Sequence, residues 1–226
     1  MRAVAVVVPA HDEQELLGAC LDALALAATH VAVPVHVLVV LDCCRDASVD
    51  VCAVRGVPVL AVDARSAGRA RALGMAALVD QLGAEALWLA TTDADSRVAP
   101  EWIAEQLLCA AAGADAVFGV VDVDDWSGHG IRVPHRFRAL YTGTGPDGTG
   151  PHSHRHGANL GLRADRYLEV GGMPELAVGE DQALASLLEQ VAGVRLVATT
   201  AVRVTTSARR RSRVVGGFAS FLTSLA

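Results

Sequence analysis

The 226-residue chain contains no lysine; all 19 of its basic residues are arginine. Set against 25 acidic residues they leave a formal net charge of −6, so the charge balance gives no reason to expect nucleic acid as a main partner. No run of about 20 apolar residues occurs, which argues against an integral membrane segment. A secretory leader is not expected either, because the first strand-like run begins at once and no small-residue cleavage site follows it. No Cys-x-x-Cys is present, and the five cysteines are odd in number with Cys43 and Cys44 adjacent. That pattern suits free thiols in a reducing compartment, the cytoplasm, rather than a structural zinc or disulfide framework. What is present is apolar: 52% hydrophobic against 19% charged residues, enough for the core of one large domain. The Ala, Val, Arg and Gly bias is similar to that of a GC-rich bacterial coding sequence.

Short apolar runs alternate with helical patterns along the first half. Val4–Val8, Val35–Leu41, Val57–Val62, Leu87–Ala90 and Asp115–Val121 read as strands. Between them, helical spacing predicts helices over 13–28, 46–54, 66–82 and 100–112. This alternation argues for a mostly parallel α/β sheet with helices on both faces. After Val121 the composition turns to Gly, His, Pro and Asp, and Thr142–Gly150 reads as a long loop. Further helices are expected at 134–141, 164–170 and 180–191, and short strands at 194–197 and 202–204. The reading is a single domain over 1–226. Its parts are a nucleotide-binding half (1–121), an acceptor-side and catalytic half (122–205) and an Arg-rich tail (206–226), whose Arg209-Arg210-Arg211 and Arg213 read as solvated.

In parallel α/β sheets ligands bind beyond the carboxyl ends of the strands. Asp12, Asp42, Asp93 and Asp95 all fall at such ends, so four acids are expected on one edge. The Asp93-Ala94-Asp95 pair is the most telling. An unpaired buried charge is costly, and a divalent cation would neutralise both carboxylates while bridging to a phosphate. A helix cap by Asp95 or Ser96 is the structural alternative. Glu180-Asp181 stands at a helix start, where the macrodipole favours acids in any case.

Four elements stand in order: Pro9-Ala10-His11-Asp12-Glu13, Asp42, Asp93-Ala94-Asp95, and Glu180-Asp181, with 85 residues between Asp95 and Glu180. Together they resemble the family 2 glycosyltransferases of the GT-A fold, over roughly residues 1–205. The resemblance implies a metal-dependent enzyme that moves a sugar from a nucleotide-diphosphate donor to an acceptor hydroxyl, with inversion, and a small C-terminal acceptor-side region. It implies that Pro9, Ala10 and Glu13 form the turn on the nucleoside and that Asp42 binds the base. Gly68 and Arg71 would approach the nucleotide. Asp95 would be the principal ligand of Mn²⁺ or Mg²⁺, and Asp93 a ribose or metal-water contact. Asp181 would be the general base, with Glu180 alongside. Asn159, in His156-Gly157-Ala158-Asn159, matches a stretch that lines the acceptor and donor-sugar site. The first turn departs from the family in reading His11-Asp12. The Gln-x-x-Arg-Trp motif of processive polysaccharide synthases is absent, which favours single transfers. Two rivals remain, a nucleotidyltransferase and a non-catalytic nucleotide-sugar-binding protein.

His152, His154 and His156 alternate, so on an extended segment they share one side and could converge on a metal; a polar loop is the plain alternative. No histidine follows His156, so a further protein ligand beside Asp95 is either one of the 152–156 histidines, with His154 and His156 as the candidates, or absent. Arg209 or Arg211 could fold over the diphosphate. Cys43 and Cys44 are expected to line the nucleotide pocket without a catalytic role.

Overall fold

A computed structural model of the chain describes residues 1–123, 125–141, 152–176, 178–209 and 218–225. Its centre is β1 (Ala3–Ala10), buried at every position. The period-2 alternation of a strand divides this apolar run between two layers. Val4, Val6 and Val8 pack into one, and Ala3, Ala5 and Val7 into the other. The first layer takes α1 (Leu17–Ala28), α2 (Ser48–Val54) and α4 (Trp102–Ala111). The second takes α3 (Ala67–Leu82), α6 (Ala164–Glu169) and α7 (Glu180–Glu189). A strand covered on both faces has no use for polar alternation, which is why β1 reads as a continuous hydrophobic run.

The eight-stranded sheet has the order β3-β2-β1-β4-β7-β6-β8-β5. β2 (Val35–Asp42), β3 (Val59–Val62) and β4 (Leu87–Thr91) join β1 in a parallel half. Their register aligns Ala10 with Leu41, Asp42 with Val62 and Val7 with Thr91, so the carboxyl ends of β1, β2 and β4 open on one edge. α3 lies close on this half: a Cβ at Gly74 would come within 2.6 Å of Val7 and 2.7 Å of Val40.

The second half is mixed, within the mostly parallel sheet expected. β7 (Leu160–Arg163) is inserted antiparallel between β4 and β6 (Ala116–Val123), and its four residues are too few to show a period. The expected pair of strands at 194–197 and 202–204 is one strand, β8 (Leu196–Thr206), with a register shift in its pairing to β6. β5 (Ser96–Val98), not foreseen, pairs antiparallel with the end of β8 and matches Ser96 to Thr206. The first helix begins at Leu17 rather than Glu13, since residues 14–16 form a turn whose following amides bond to the Glu13 carbonyl. α5 (Val133–Tyr141) and α8 (Phe218–Ser224) complete the described elements. The 142–150 loop and Arg210, Arg211 and Arg213 lie outside the described residues. Among the described residues, no helix is long and apolar enough to cross a membrane.

Candidate active site

Two clefts open at the strand ends and meet. One, of about 400 Å³, is lined by Pro9, Ala10, Glu13, Asp42, Ser66 and Ala70 among others. The second, of about 340 Å³, is lined on one side by Gly68, His156, Gly157, Glu180 and Asp181. Ala67, Arg71, Asp93, Asp95 and Arg209 belong to both. Pockets of this size suit small ligands, and here their charged groups concentrate at the junction.

Pairing of the sheet builds this junction. β5 ties Asp95 to the end of β8, and the Ser207 amide bonds to the Asp95 carbonyl at 3.2 Å. Arg209, three residues beyond β8, therefore reaches back and pairs with the Asp95 carboxylate. The same guanidinium contacts Glu13 Oε1 at 2.8 Å. Ser96 and Thr206 hydroxyls approach Asp95 Oδ1 at 3.4 Å each. Burial pushes the Asp95 carboxyl above its ordinary range, Asp93 adds to this, and Arg209 pulls it back. Asp95 and Asp93 at the junction and Glu13 in the adjoining cleft are oxygen donors of the type a hard divalent cation takes, but each is paired with an arginine and, among the described residues, the three do not gather as one ligand cluster.

Arg71 holds the other side. Its side chain is 6% exposed and bridges Asp93 at 2.5 Å and Glu180 at 2.7 Å. Such a paired buried charge is costly to uncouple, because either partner alone would be left uncompensated. Both contacting nitrogens are thus committed to carboxylates. Gly68 makes room for this arrangement: a Cβ there would meet Glu180 Cγ at 2.6 Å. Gly157 does the same against Arg71 Cζ at 2.8 Å. Gly68 is required by the approach of α3 to α7, and Glu180 is spent on Arg71.

Asp181 is held differently. It sits in the first turn of α7, after Gly179 in the left-handed region at φ 81°. Its Oδ2 accepts the Gly157 amide and its Oδ1 the Gln182 amide, each at 2.8 Å. Two neutral donors orient this carboxylate, and it faces the cleft.

Other expected site residues fall elsewhere. Asn159 is fully buried and lines neither cleft. Its Oδ1 accepts Trp102 Nε1 at 2.8 Å, and its Nδ2 donates to the Val120 and Val202 carbonyls. That amide has no capacity aimed at a sugar; it anchors the turn at 157–159 and so sets the Gly157 amide that orients Asp181. The three histidines do share a side, stacked with centroids 5.6 and 5.7 Å apart. They do not gather as ligands. His152 Nε2 lies 3.3 Å from the Thr199 carbonyl and His154 Nε2 lies 3.1 Å from the Leu140 carbonyl. Only His156 lines the cleft, and burial drives its imidazole down to about 4 against the pull of Asp181. Among the described residues, no cluster brings Asp95 together with His154 or His156.

Asp42 lines the first cleft, with its carboxylate accepting the amides of Ala64, Arg65 and Ser66 at 2.8–3.0 Å. It thereby fixes the loop into α3, whose cap is Ser66. Asp12 leaves the constellation and Glu13 takes its place. Asp12 adopts φ 51° and accepts the Arg45 amide in a separate groove. Cys43 lines that groove too, its thiol donating to Asp63 and its pKa pushed to about 11. Cys44 donates to the Ala10 carbonyl, and neither cysteine lines the two clefts. Asp12, Cys44 and Asp46 lie close together, but backbone amides already engage all three. Of the two readings of Arg209, the solvated tail does not hold: its guanidinium turns into the clefts and pairs with Asp95 and Glu13.

The architecture is found in solved structures of low sequence identity. S. aureus TarS 1-349 in complex with UDP-GlcNAc superposes with a TM-score of 0.66 at 14% identity, covering 95% of this chain and 61% of that one. A mycobacterial protein gives 0.65 at 16% identity, with 99% and 71% covered. The mannosyltransferase PcManGT from Pyrobaculum calidifontis, in complex with GDP-Man and Mn²⁺, gives 0.63 at 18%, with 93% and 58% covered. The chain thus spans about three-fifths of the length of the TarS structures. A search of curated proteins finds no match. The fold is GT-A, and the sequence model of Glycosyl transferase family 2 matches residues 5–171. The chain belongs to glycosyl transferase family 2.

Proposed function

We propose that the chain transfers a sugar from a nucleotide-diphosphate donor to an acceptor hydroxyl, with inversion at the anomeric carbon. One observation carries this reading: Asp181 faces the same cleft as Asp95 but, among the described residues, its hydrogen bonds come from neutral amides, while Asp95 lies in the charged junction with the second cleft. The nucleoside occupies the cleft of Pro9, Ala10 and Asp42. The diphosphate lies at the junction, where Arg209 supplies positive charge. The likeness in fold to TarS with UDP-GlcNAc and to PcManGT with GDP-Man and Mn²⁺ supports a nucleotide-sugar donor and a divalent cation.

Asp95 would hold Mn²⁺ or Mg²⁺, with Asp93 and Glu13 as further oxygen donors. The cation supplies Lewis-acid stabilisation of the departing diphosphate. Asp181 takes the proton from the acceptor hydroxyl as its oxygen bonds to the anomeric carbon. The anomeric C–O bond to the diphosphate breaks on the opposite side, and its electron pair leaves with the phosphate oxygen. Arg71 keeps Asp93 and Glu180 fixed around these steps and is a positioning residue. His156 stays neutral beside them. The free cysteines suit a reducing compartment, consistent with a cytoplasmic site of action.

Product analysis with UDP-, GDP-, TDP- and ADP-sugars and Mn²⁺ tests the proposal. Release of nucleoside diphosphate supports it. Release of pyrophosphate would identify a nucleotidyltransferase, and donor binding without any release a non-catalytic binder.

A further inference from the structure

The chain is poor in aromatic residues: three Trp, two Tyr and four Phe, 4% of the sequence. Four of these nine form one cluster beside the Asp181 cleft. Trp126 and Phe137 have ring centroids 5.3 Å apart, and Phe137 lies 6.0 Å from Phe218 and 6.5 Å from Phe221. α8 presents both of the last two. Its Ala219 and Leu222, and Leu225 just after it, are buried, whereas Phe218 and Phe221 are half-buried and line the cleft. Val121, Ala158 and Val178 also line the cleft, and Val178 is 49% exposed. The cleft therefore has two kinds of lining: Asp93, Asp95, Asp181 and Arg209 are charged, and Phe218, Phe221 and Val178 are apolar.

Against Phe218, Phe221 and Val178 an acceptor made only of sugar would meet no side-chain hydrogen-bonding group, and covering these residues would desolvate its hydroxyls without replacement. An apolar body gains from the same contact in proportion to the area it removes from water. We infer that the acceptor hydroxyl is carried on an apolar body, an alkyl or aryl chain, that lies against Phe218, Phe221 and Val178 while the hydroxyl meets Asp181. This inference rests on the glycosyltransferase reading for the role of the cleft.

Octyl β-glucoside and methyl β-glucoside carry the same sugar hydroxyls and differ only in the apolar tail. Their binding to the full chain is compared by titration calorimetry, with the octyl compound below its micellar concentration. The expected result is at least tenfold tighter binding of the octyl compound, reduced at least threefold by Phe221→Ser and by Val178→Ser. Melting transitions confirm that both variants fold, and the comparison on the unsubstituted chain stands without them. Equal binding, no binding of either compound, or an octyl preference undiminished in both folded variants overturns the inference. Nucleoside diphosphate release from a donor sugar is measured separately. Release without an octyl preference overturns the apolar acceptor and leaves the transferase reading, whereas an octyl preference without release overturns the transferase reading, and the acceptor role with it, and leaves only an apolar binding surface.

Discussion

Arg209 and Asp95 are 114 residues apart in the chain and form an ion pair at the junction of the two clefts. The contact follows from strand pairing, since β5 and β8 bring the residue before Ser96 to the residues after Thr206. It sets a guanidinium against the carboxylate proposed to hold the divalent cation. Arg209 thus compensates Asp95 and Glu13, and it competes with a cation for the same oxygens.

Arg209→Gln is therefore expected to act in two opposite directions. Without donor, Mn²⁺ binding followed by electron paramagnetic resonance should tighten several-fold, because a rival charge is gone. With donor, the KM should rise about 10- to 100-fold, the range of a lost charge-assisted hydrogen bond of about 1.5–3 kcal/mol. Unchanged values of both quantities would place Arg209 outside the site.

Asn159→Ala separates a structural amide from a sugar contact. It leaves the Trp102 indole N–H and the Val120 and Val202 carbonyls without their partner in the core. A loss of about 3 kcal/mol in urea denaturation is expected, with donor-induced thermal stabilisation retained. Parent-like stability with a raised donor KM would return Asn159 to the sugar site.

The pH dependence of stability should carry the signature of His156. An unfolded histidine titrates near 6.5, while burial holds His156 at about 4 in the folded chain. Between these values the unfolded state binds the proton and the folded state does not. The contribution is fully present above about pH 6.5 and fades as the pH falls toward 4. His152 and His154, also lowered by burial, act in the same direction. Replacing His156 by Gln should make urea denaturation less sensitive to pH between 7 and 4.5, by on the order of 2–3 kcal/mol. An unaltered slope would mean that His156 is solvated.

The legible parts of this fold were those with a long period. β1, β2, β4, α3 and α7 follow from apolar runs and helical spacing, and the acids at their ends follow from strand direction. β5 and β7 were not legible, because three- and four-residue strands are defined by partners far away in sequence. The same cause hid the partners of Arg209: a fold over the diphosphate could be suggested from sequence, but its pairing with Asp95 and Glu13 depends on β8. Asn159 misled because an amide in a glycine-rich turn has the same spelling whether it faces a ligand or the core. Only the burial supplied by Trp102, β6 and β8 decides. The Asp12 and Glu13 exchange has a local origin in the left-handed conformation of Asp12, which turns the acids to different grooves.

The division of labour between Asp95 and Asp181 is tested most directly by paired variants assayed for donor binding and for nucleoside diphosphate release. Asp181→Asn should keep the donor- and Mn²⁺-dependent thermal stabilisation and lose release by about 10²- to 10⁴-fold, the usual contribution of a general base. Asp95→Asn should lose both. Full release by the Asp181 variant, or undiminished donor stabilisation of the Asp95 variant, would contradict it.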